Sequence, residues 1–296
     1  PLAVAITDFM LETGIPAIAH HHDFYWERVR FSINAVPDYL DKAFPPRLPN
    51  MAHTVINAAA QDQLSLRKGV GSLLIPNVFD FESPPWKQDE YNQDLRTEIG
   101  LSKNDLVILQ ATRIVSRKGI ELAIDFTRAL GTPDRRSVLV ERGFYDRREF
   151  RVTDRIVLVL AGYTRDDLTA EYKNKLIEKA NHGGVELVFI EDRIDAQRGT
   201  RDDQKIYSLW DSYTAADLVT YPSIWEGWGN QFLEAIKAKL PIVLFEYPVY
   251  IEDIKPKGFK TISLGNKIRD YDDAGLSRID EEIIESAADQ ALEALT

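Results

Sequence analysis

The sequence predicts an α/β fold with parallel sheets, and two observations support this class. Short apolar segments of strand length recur along the chain, and most neighbouring pairs are separated by amphipathic segments of helical length. A connection between parallel strands of one sheet needs a crossover of about this size, which is usually a helix. Proline directly follows two of the apolar segments, at Pro76 and Pro222, and so marks the ends of strands.

The alternation is clearest between residues 104 and 280. The predicted strands there are Leu106–Gln110, Ile156–Ala161, Glu186–Ile190, Leu218–Tyr221, Ile242–Phe245 and Thr261–Ser263. The predicted helices are Ile120–Leu130, Arg165–Asn181, Lys205–Ala215 and Asn230–Lys239. We therefore expect a Rossmann-like domain over 104–280, followed by an acidic terminal helix over 281–296. Residues 131–154 are rich in arginine and have no clear period.

The first 82 residues contain fewer elements. The predicted strands are Ile15–Ala19, Thr54–Asn57 and Ser72–Ile75, and the predicted helices are Leu2–Glu12 and Ala59–Lys68. Three strands are too few for a complete doubly wound domain, so we expect a partial Rossmann-like domain over 1–82. The composition then shifts to proline, serine, tryptophan and charge, which favours a linker over 83–103.

The composition narrows the class of partner. The 296 residues carry a formal net charge of −11, which argues against a nucleic-acid backbone or an anionic membrane as the main partner. The chain has no cysteine, which excludes disulfides and thiol chemistry and agrees with a reducing compartment. The longest apolar runs are of strand length, so no transmembrane segment is predicted. A cytoplasmic location is the expectation.

Two weaker motifs lie in the first part of the chain. In an extended segment, His20 and His22 point to one face and His21 to the other, which is poor metal geometry. A cleft-lining contact with substrate and a structural or capping role are the two better alternatives. The pair Gly69 and Gly71 is followed by a strand and not by a helix, which disfavours a Rossmann dehydrogenase.

A basic loop follows the predicted strand Leu106–Gln110. Arg113, Arg117 and Lys118 stand just before Gly119, where a new helix begins. Cations beside a helix amino terminus suit a phosphate, because the backbone amides and the helix dipole add to the side-chain charges. A solvated basic turn is the alternative.

A second loop of the same kind joins the strand Leu218–Tyr221 to the helix that begins near Asn230. Gly227 and Gly229 allow backbone amides to approach an anion, and Glu226 and Glu234 flank them. Glu226 could accept hydrogen bonds from sugar hydroxyls, and Glu234 could accept them from a ribose diol. The alternatives are a helix-capping role for Glu226 and an exposed helical position for Glu234.

Three pairs of segments follow one another in an order and spacing that resembles a known family. They are Ala111-Thr112-Arg113 with Lys118-Gly119, Ala216-Asp217 with Pro222-Ser223, and Glu226-Gly227-Trp228-Gly229 with Glu234-Ala235. The set resembles the retaining nucleotide-sugar glycosyltransferases of the GT-B fold, particularly family 4, in which seven residues separate two glutamates. Two further segments are similar to that family, namely His22-Asp23 and Ile75-Pro76-Asn77-Val78-Phe79-Asp80.

The resemblance implies a GT-B-like pair of Rossmann-type domains and a role for each motif residue. Arg113 and Lys118 would hold the diphosphate of the donor, Glu234 its ribose hydroxyls and Glu226 the transferred sugar. His22 would reach the donor sugar from the other domain. Backbone amides would surround sugar and phosphate at Gly227, Trp228, Gly229 and Asn230. With Arg113 and Lys118 present, no metal ion or other cofactor is required.

The sequence departs from the family pattern in several places. Trp228 stands where phenylalanine is usual, and Asn230-Gln231 replaces a more apolar pair, which could alter the selection of the sugar. The usual glycine before Asp80 is absent. The initial strand with its glycine-rich loop and the final crossover helix of the family are not visible, so we expect a truncated chain with an incomplete amino-terminal domain.

The predicted function is the transfer of a hexosyl group from a nucleoside diphosphate sugar to an acceptor hydroxyl, with retention, in carbohydrate biosynthesis. The alternatives are a nucleotide-sugar epimerase or sugar phosphorylase of the same fold, and a catalytically incomplete nucleotide-binding fragment. The expected partners are the donor and a small-molecule or glycan acceptor, with no nucleic acid. The sequence leaves the donor base, the acceptor and the oligomeric state open.

Overall fold

The computed structural model describes residues 2–27, 33–162 and 170–296. The chain divides into two compact units, and both contain helices and parallel sheets, which confirms the α/β class. The amino-terminal unit contains the residues up to Val78 together with Glu226–Gly229 and Pro248–Gly258. The second unit contains Phe79–Trp225, Asn230–Tyr247 and Phe259–Thr296. The finer division into 1–82, 83–103, 104–280 and 281–296 stays a prediction.

The amino-terminal unit has a parallel sheet of three strands in the order β1-β2-β3. The strands are β1 (Ala17–His21), β2 (Met51–Val55) and β3 (Leu73–Leu74), and the α-helices are α1 (Leu2–Thr13), α2 (Pro37–Ala43) and α3 (Ala58–Lys68). Tyr250–Ile254 adds a π-helical turn. Phe24, Val55, Ala60 and Leu64 form a small buried apolar cluster.

The predicted strands of this unit exist, but two of them are displaced along the chain. β1 continues through His20 and His21, and β2 already includes His53. Backbone pairing between the strands runs through these polar residues, whereas the apolar pattern stopped at them. The prediction therefore ended the first strand two residues early and began the second three residues late.

The second unit is larger. Its strands, in chain order, are β4 (Leu106–Gln110), β5 (Ile156–Leu160), β6 (Glu186–Phe189), β7 (Ile194–Asp195), β8 (Gly199–Arg201), β9 (Gln204–Ser208), β10 (Leu218–Tyr221), β11 (Ile242–Leu244), β12 (Ile262–Ser263), β13 (Asp270–Tyr271) and β14 (Ser277–Arg278). Its helices are α4 (Leu95–Glu98), α5 (Ile120–Leu130), α6 (Pro133–Arg142), α7 (Glu171–Gly183), α8 (Leu209–Thr214), α9 (Asn230–Ala238) and α10 (Glu281–Leu295).

Six of these strands form one parallel sheet in the order β12-β11-β10-β4-β5-β6. Every residue of β4, β5 and β10 is buried, as expected for parallel strands covered on both faces. From β4 the chain adds strands in one direction, and from β10 it adds them in the other. The strand order therefore reverses between β4 and β10, and ligands of open α/β sheets bind outside the carboxyl ends of the strands at such a point.

The predicted helix Lys205–Ala215 is wrong over its first half. Gln204–Ser208 is strand β9, which pairs with β7 and β8, and the helix begins only at Leu209. The reason is a capping box, in which Asp211 accepts hydrogen bonds from the backbone and the hydroxyl of Ser208 at 2.8 Å. These hydrogen bonds cap the helix at Ser208, so the helix cannot extend further toward the amino terminus. The residues before Ser208 pair with the neighbouring strands instead.

Other helices also differ from the prediction, which contains neither α2 (Pro37–Ala43) nor α4 (Leu95–Glu98), the latter inside the predicted linker. Residues 165–169 of the predicted helix Arg165–Asn181 lie outside the described residues, and α7 covers Glu171–Gly183. Residues 131–154, which show no clear period, contain α6. Only Leu139 is buried in this helix, so the helix has no apolar stripe that a sequence pattern could indicate. Within the described ranges, no helix combines the length and the apolar character needed to cross a membrane.

Candidate functional site

The basic loop of the second unit leaves the carboxyl end of β4 and enters α5. Ser116–Lys118 forms a 3₁₀ turn that Gly119 ends, with a φ of 59°, a left-handed conformation that favours glycine. The backbone amide of Lys118 donates to the carbonyl of Val115 at 2.9 Å. Lys118 is only 8% exposed and Arg113 is half-buried. The alternative of a solvated basic turn therefore does not hold for Lys118.

This loop is joined to the loop that leaves β10. The backbone amide of Ile224 donates to the carbonyl of Arg117 at 2.9 Å, and the Arg117 guanidinium donates to the carbonyl of Trp225 at 3.2 Å. A Cβ atom on Gly119 would lie 2.3 Å from the carbonyl oxygen of Pro222, so only glycine allows this approach. The structure thus brings the two predicted loops together at the point where the strand order reverses.

Glu234 lies on α9, one turn after the helix begins at Asn230. It is half-buried, so the alternative of an exposed helical glutamate does not hold. The hydroxyl of Tyr213, on α8, donates to Glu234 Oε2 at 2.6 Å. Burial raises the pKa of Glu234, while the Tyr213 hydrogen bond and the charge of Lys118 oppose that rise. The influence of Lys118 ties Glu234 electrostatically to the basic loop.

A chain of buried polar side chains links the strands beneath these loops. Gln110, at the end of β4, donates to the Thr112 hydroxyl at 3.1 Å and to the carbonyl of Lys118 at 3.3 Å, and it accepts from the Thr220 hydroxyl at 3.2 Å. Gln231 donates to the carbonyl of Thr220 at 3.4 Å. Gln231 is 5% exposed, so this departure from the family pattern faces the protein interior.

In the amino-terminal unit, the segment Glu226–Gly229 packs on the ends of β1 and β2. Asn57 donates from Nδ2 to the carbonyl of Gly227 at 2.7 Å, and its Oδ1 caps α3 by accepting from the Ala60 amide at 2.7 Å. A Cβ atom on Gly227 would lie 3.5 Å from the carbonyl oxygen of His22 and 3.8 Å from Asp23 Oδ1. The predicted residues His22 and Gly227 are therefore neighbours. Glu226 is 9% exposed.

The three consecutive histidines divide between two sides of the chain, as predicted, with His20 and His21 on β1 and His22 directly after it. The rings of His20 and His22 lie 4.6 Å apart, and both residues are exposed. His21 instead lies beside His53 of β2, with His21 Nε2 and His53 Nδ1 separated by 2.9 Å. Burial, and then the proximity of His53 and His20, lowers the pKa of His21 to about 4, and burial lowers the pKa of His53. His21 and His53 thus favour the neutral state.

This pair makes stability depend on pH. Unfolded His21 takes up a proton near its ordinary pKa of 6.5, whereas the folded residue stays neutral until about pH 4. The unfolded state therefore binds more protons between these values, and we expect the free energy of unfolding to fall as the pH is lowered from 6.5 to 4. Urea unfolding at a series of pH values measures this slope. The slope should become shallower in His21→Gln, and an unchanged slope would contradict the assignment.

The predicted site residues fall into two groups. Arg113, Lys118, Asn230 and Glu234 belong to the second unit, and the others belong to the amino-terminal unit. Those others are His22, Glu226, Gly227, Trp228 and Gly229. In the described part of the chain, no three histidine or carboxylate side chains are arranged to hold a metal ion.

Sequence reasoning missed three residues that shape these groups, namely Tyr213, Gln110 and Asn57. Tyr213 and Glu234 are 21 positions apart, and Asn57 and Gly227 are 170 apart. Neither separation carries a local signal. Gln110 closes an otherwise apolar strand, and a polar residue in that position was the one available sign.

A match to a known family covers most of the second unit together with two segments of the amino-terminal unit, Glu226–Gly229 and Pro248–Gly258. The model of the family described as glycosyl transferases group 1 matches residues 92–270, which is more than half of the chain. The chain belongs to this family. The match begins just inside the second unit and includes both loops at the centre of its sheet.

Two curated relatives extend the similarity to the rest of the amino-terminal unit. The mannosylglucosylglycerate synthase of Petrotoga mobilis is 43% identical over 99% of this chain, and that of Thermotoga maritima is 41% identical over 92%. The chain spans 66% of the length of the first relative and 60% of the second.

Solved structures agree on the fold. The Anabaena protein HepE, in complex with UDP and glucose, aligns with 89% of this chain and 60% of its own at a TM-score of 0.56 and 18% identity. WaaG, a glycosyltransferase involved in lipopolysaccharide biosynthesis, aligns with 98% of this chain and 73% of its own, at a TM-score of 0.55 and 15% identity. These similarities confirm the GT-B-like α/β class predicted from the sequence.

Proposed function

We propose that the protein is a retaining hexosyltransferase that moves a sugar from a nucleoside diphosphate sugar to an acceptor hydroxyl. One observation carries this proposal beyond family membership. A hydrogen bond joins the loop of buried Lys118 to the loop after β10, at the point of the sheet where an α/β protein binds its ligand. Glu234, electrostatically coupled to Lys118, adds an acceptor for a diol on the same unit.

In the proposed reaction, the bond between the anomeric carbon and the diphosphate oxygen breaks, and the acceptor oxygen bonds to that carbon. The acceptor proton passes to the departing phosphate, which would assist an attack from the same face and give retention. Negative charge grows on the diphosphate as it leaves. Arg113 and Lys118 would stabilise that charge more in the transition state than in the ground state. With these two cations present, the proposal requires no metal ion or other cofactor.

The remaining assignments concern the sugar and its surroundings. We assign Glu226 to the transferred sugar and His22 to a contact with the same sugar, supported by their places at the Gly227 segment of the amino-terminal unit. The amides of Gly227, Trp228, Gly229 and Asn230 are assigned to sugar and phosphate. A cytoplasmic location is part of the proposal, since a chain without cysteine suits a reducing compartment.

The names of the two curated relatives suggest the product. We propose that it is mannosylglucosylglycerate, so that the donor carries a mannosyl group and the acceptor already contains glucose and glycerate. An assay of the full-length enzyme with GDP-, UDP- and ADP-hexoses, with and without glucosylglycerate, tests this. Formation of an α-linked product from an α-linked donor is expected. Turnover without acceptor would favour an epimerase, and a requirement for free phosphate would favour a phosphorylase.

Glu226→Gln should remove transfer while preserving the fold, because the amide keeps the shape of the buried side chain but loses the carboxylate. We expect kcat to fall by at least about a hundredfold, the size of effect seen when one group that stabilises a transition state is removed. Steady-state kinetics of the full-length enzyme measures the loss. Glu12→Gln, an exposed glutamate of α1, should retain full turnover. Wild-type turnover in Glu226→Gln would refute the assignment.

A further inference from the structure

Tyr213 is a buried tyrosine that holds one of the proposed donor contacts. It is 2% exposed, and its hydroxyl donates to Glu234 Oε2 across the gap between α8 and α9. The side chain of Gln231 faces the same hydroxyl. The hydrogen bond of 2.6 Å is in the range of a charge-assisted bond to a carboxylate. One oxygen of Glu234 is thereby fixed to the protein interior.

The position of Tyr213 is itself firmly set. Asp211 begins α8 through its capping box with Ser208, and it also accepts hydrogen bonds from Asn92 at 2.8 Å and from Arg198. The ring of Tyr213 packs against Trp86 with the ring centres 5.5 Å apart. These contacts fix the helix and the ring, so the hydroxyl has a defined direction toward Glu234.

The charged state of Glu234 depends on this contact. Burial favours the neutral acid, and the two groups that counter it are the Tyr213 hydroxyl from α8 and the Lys118 ammonium from the loop after β4. An ionised carboxylate only accepts hydrogen bonds, whereas the neutral acid also carries a proton. A diol presents two donors, so it is best received by the ionised form.

We propose that Tyr213 is a positioning residue for the nucleotide, because its hydroxyl fixes Glu234 so that carboxylate oxygen Oε1 receives the ribose diol of a nucleoside diphosphate. This rests on the proposed function, which assigns the ribose to Glu234. Tyr213 itself does not touch the nucleotide. Its removal should therefore weaken recognition of the diol specifically, and recognition of the diphosphate much less.

The 296-residue chain serves for the test, with nucleotide binding as the readout. Calorimetric titration with GDP, UDP and ADP selects the nucleotide that binds most tightly, and its 2′,3′-dideoxy form then measures the contribution of the diol. We expect the wild type to prefer the ribose form by about tenfold or more, as for hydrogen bonds to a charged group. In Tyr213→Phe that preference should fall at least about fivefold, and the pH below which binding weakens should rise.

A matched control separates positioning from a general loss of buried hydroxyls. Tyr207 is another fully buried tyrosine of the second unit, and its hydroxyl donates to Asp94 at 2.9 Å. Tyr207→Phe should keep the wild-type preference for the diol and the wild-type pH dependence. A purely structural role for Tyr213 would change neither property, although it could lower the thermal midpoint.

The outcomes distinguish this inference from the proposed function. If none of the three nucleoside diphosphates binds the wild type, both are overturned. If one binds and Tyr213→Phe retains the full diol preference, the inference is overturned and the proposed function stands. If Tyr213→Phe does not fold, Glu234→Gln is measured instead, and an unchanged diol preference in that variant overturns the inference together with the assignment of the ribose to Glu234.

Discussion

Replacing Lys118 by alanine is expected to lower kcat/KM of the full-length enzyme by about a hundredfold to a thousandfold, which corresponds to about 2.7–4 kcal/mol of barrier. Lys118 is 8% exposed, with its ammonium 5.7 Å from the centre of the Tyr221 ring and close enough to Glu234 to influence its ionisation. A cation held in a site with little water interacts more strongly with a leaving diphosphate than an exposed one does. Initial-rate kinetics at varied donor concentration measures the effect.

The control for Lys118 is an exposed lysine of the same unit. Lys267→Ala removes one positive charge from the surface and should leave kcat/KM within about twofold of the wild type, since surface charges contribute little. Thermal unfolding of both variants checks that the fold is kept. A Lys118→Ala enzyme that is folded and as active as Lys267→Ala would remove the diphosphate assignment.

The central strands of the second unit could be predicted because they are uniformly buried. All residues of Leu106–Gln110 and Leu218–Tyr221 are buried, because both faces of the sheet are covered. Nearly every position therefore favours an apolar side chain, and the apolar run coincides with the strand. β9 shows the opposite case. Its residues run from exposed Gln204 to buried Ser208, so no apolar run marks it, and only the capping box at Ser208 separates strand from helix.

Much of the proposed site could be predicted because the residues that form each loop are close together in the sequence. The Arg113–Gly119 and Ser223–Asn230 segments each carry glycine, charge and a helix start within a few positions, and the structure places both at the expected ends of strands. The residues that support them are remote in sequence. Tyr213 presents the pattern of an ordinary core aromatic, and its role depends on the packing of α8 against α9, which no spacing within the chain encodes.

Gly119→Ala is expected to destabilise the second unit by more than about 3 kcal/mol, since it combines two of the mechanisms that produce large mutational effects. The left-handed backbone at φ 59° costs a residue with a Cβ atom about 1–2 kcal/mol. The new Cβ atom would also lie 2.3 Å from the carbonyl oxygen of Pro222, so the two loops would have to separate. Activity should fall as well, because a displacement of about 1 Å in a site can cost a hundredfold in rate.

Gly184→Ala separates the two causes. Gly184 also has a left-handed backbone, with a φ of 65° at the end of α7, but a Cβ atom there would have no other atom within 4 Å. This variant should therefore carry the conformational cost alone and keep its nucleotide affinity. Urea unfolding gives the free energy of unfolding of both variants. The difference between the two values measures the contribution of the contact between the loops after β4 and β10. Equal destabilisation and equal affinity in the two variants would show that the loop contact contributes nothing, and the junction on which the proposed donor site depends would lose its support.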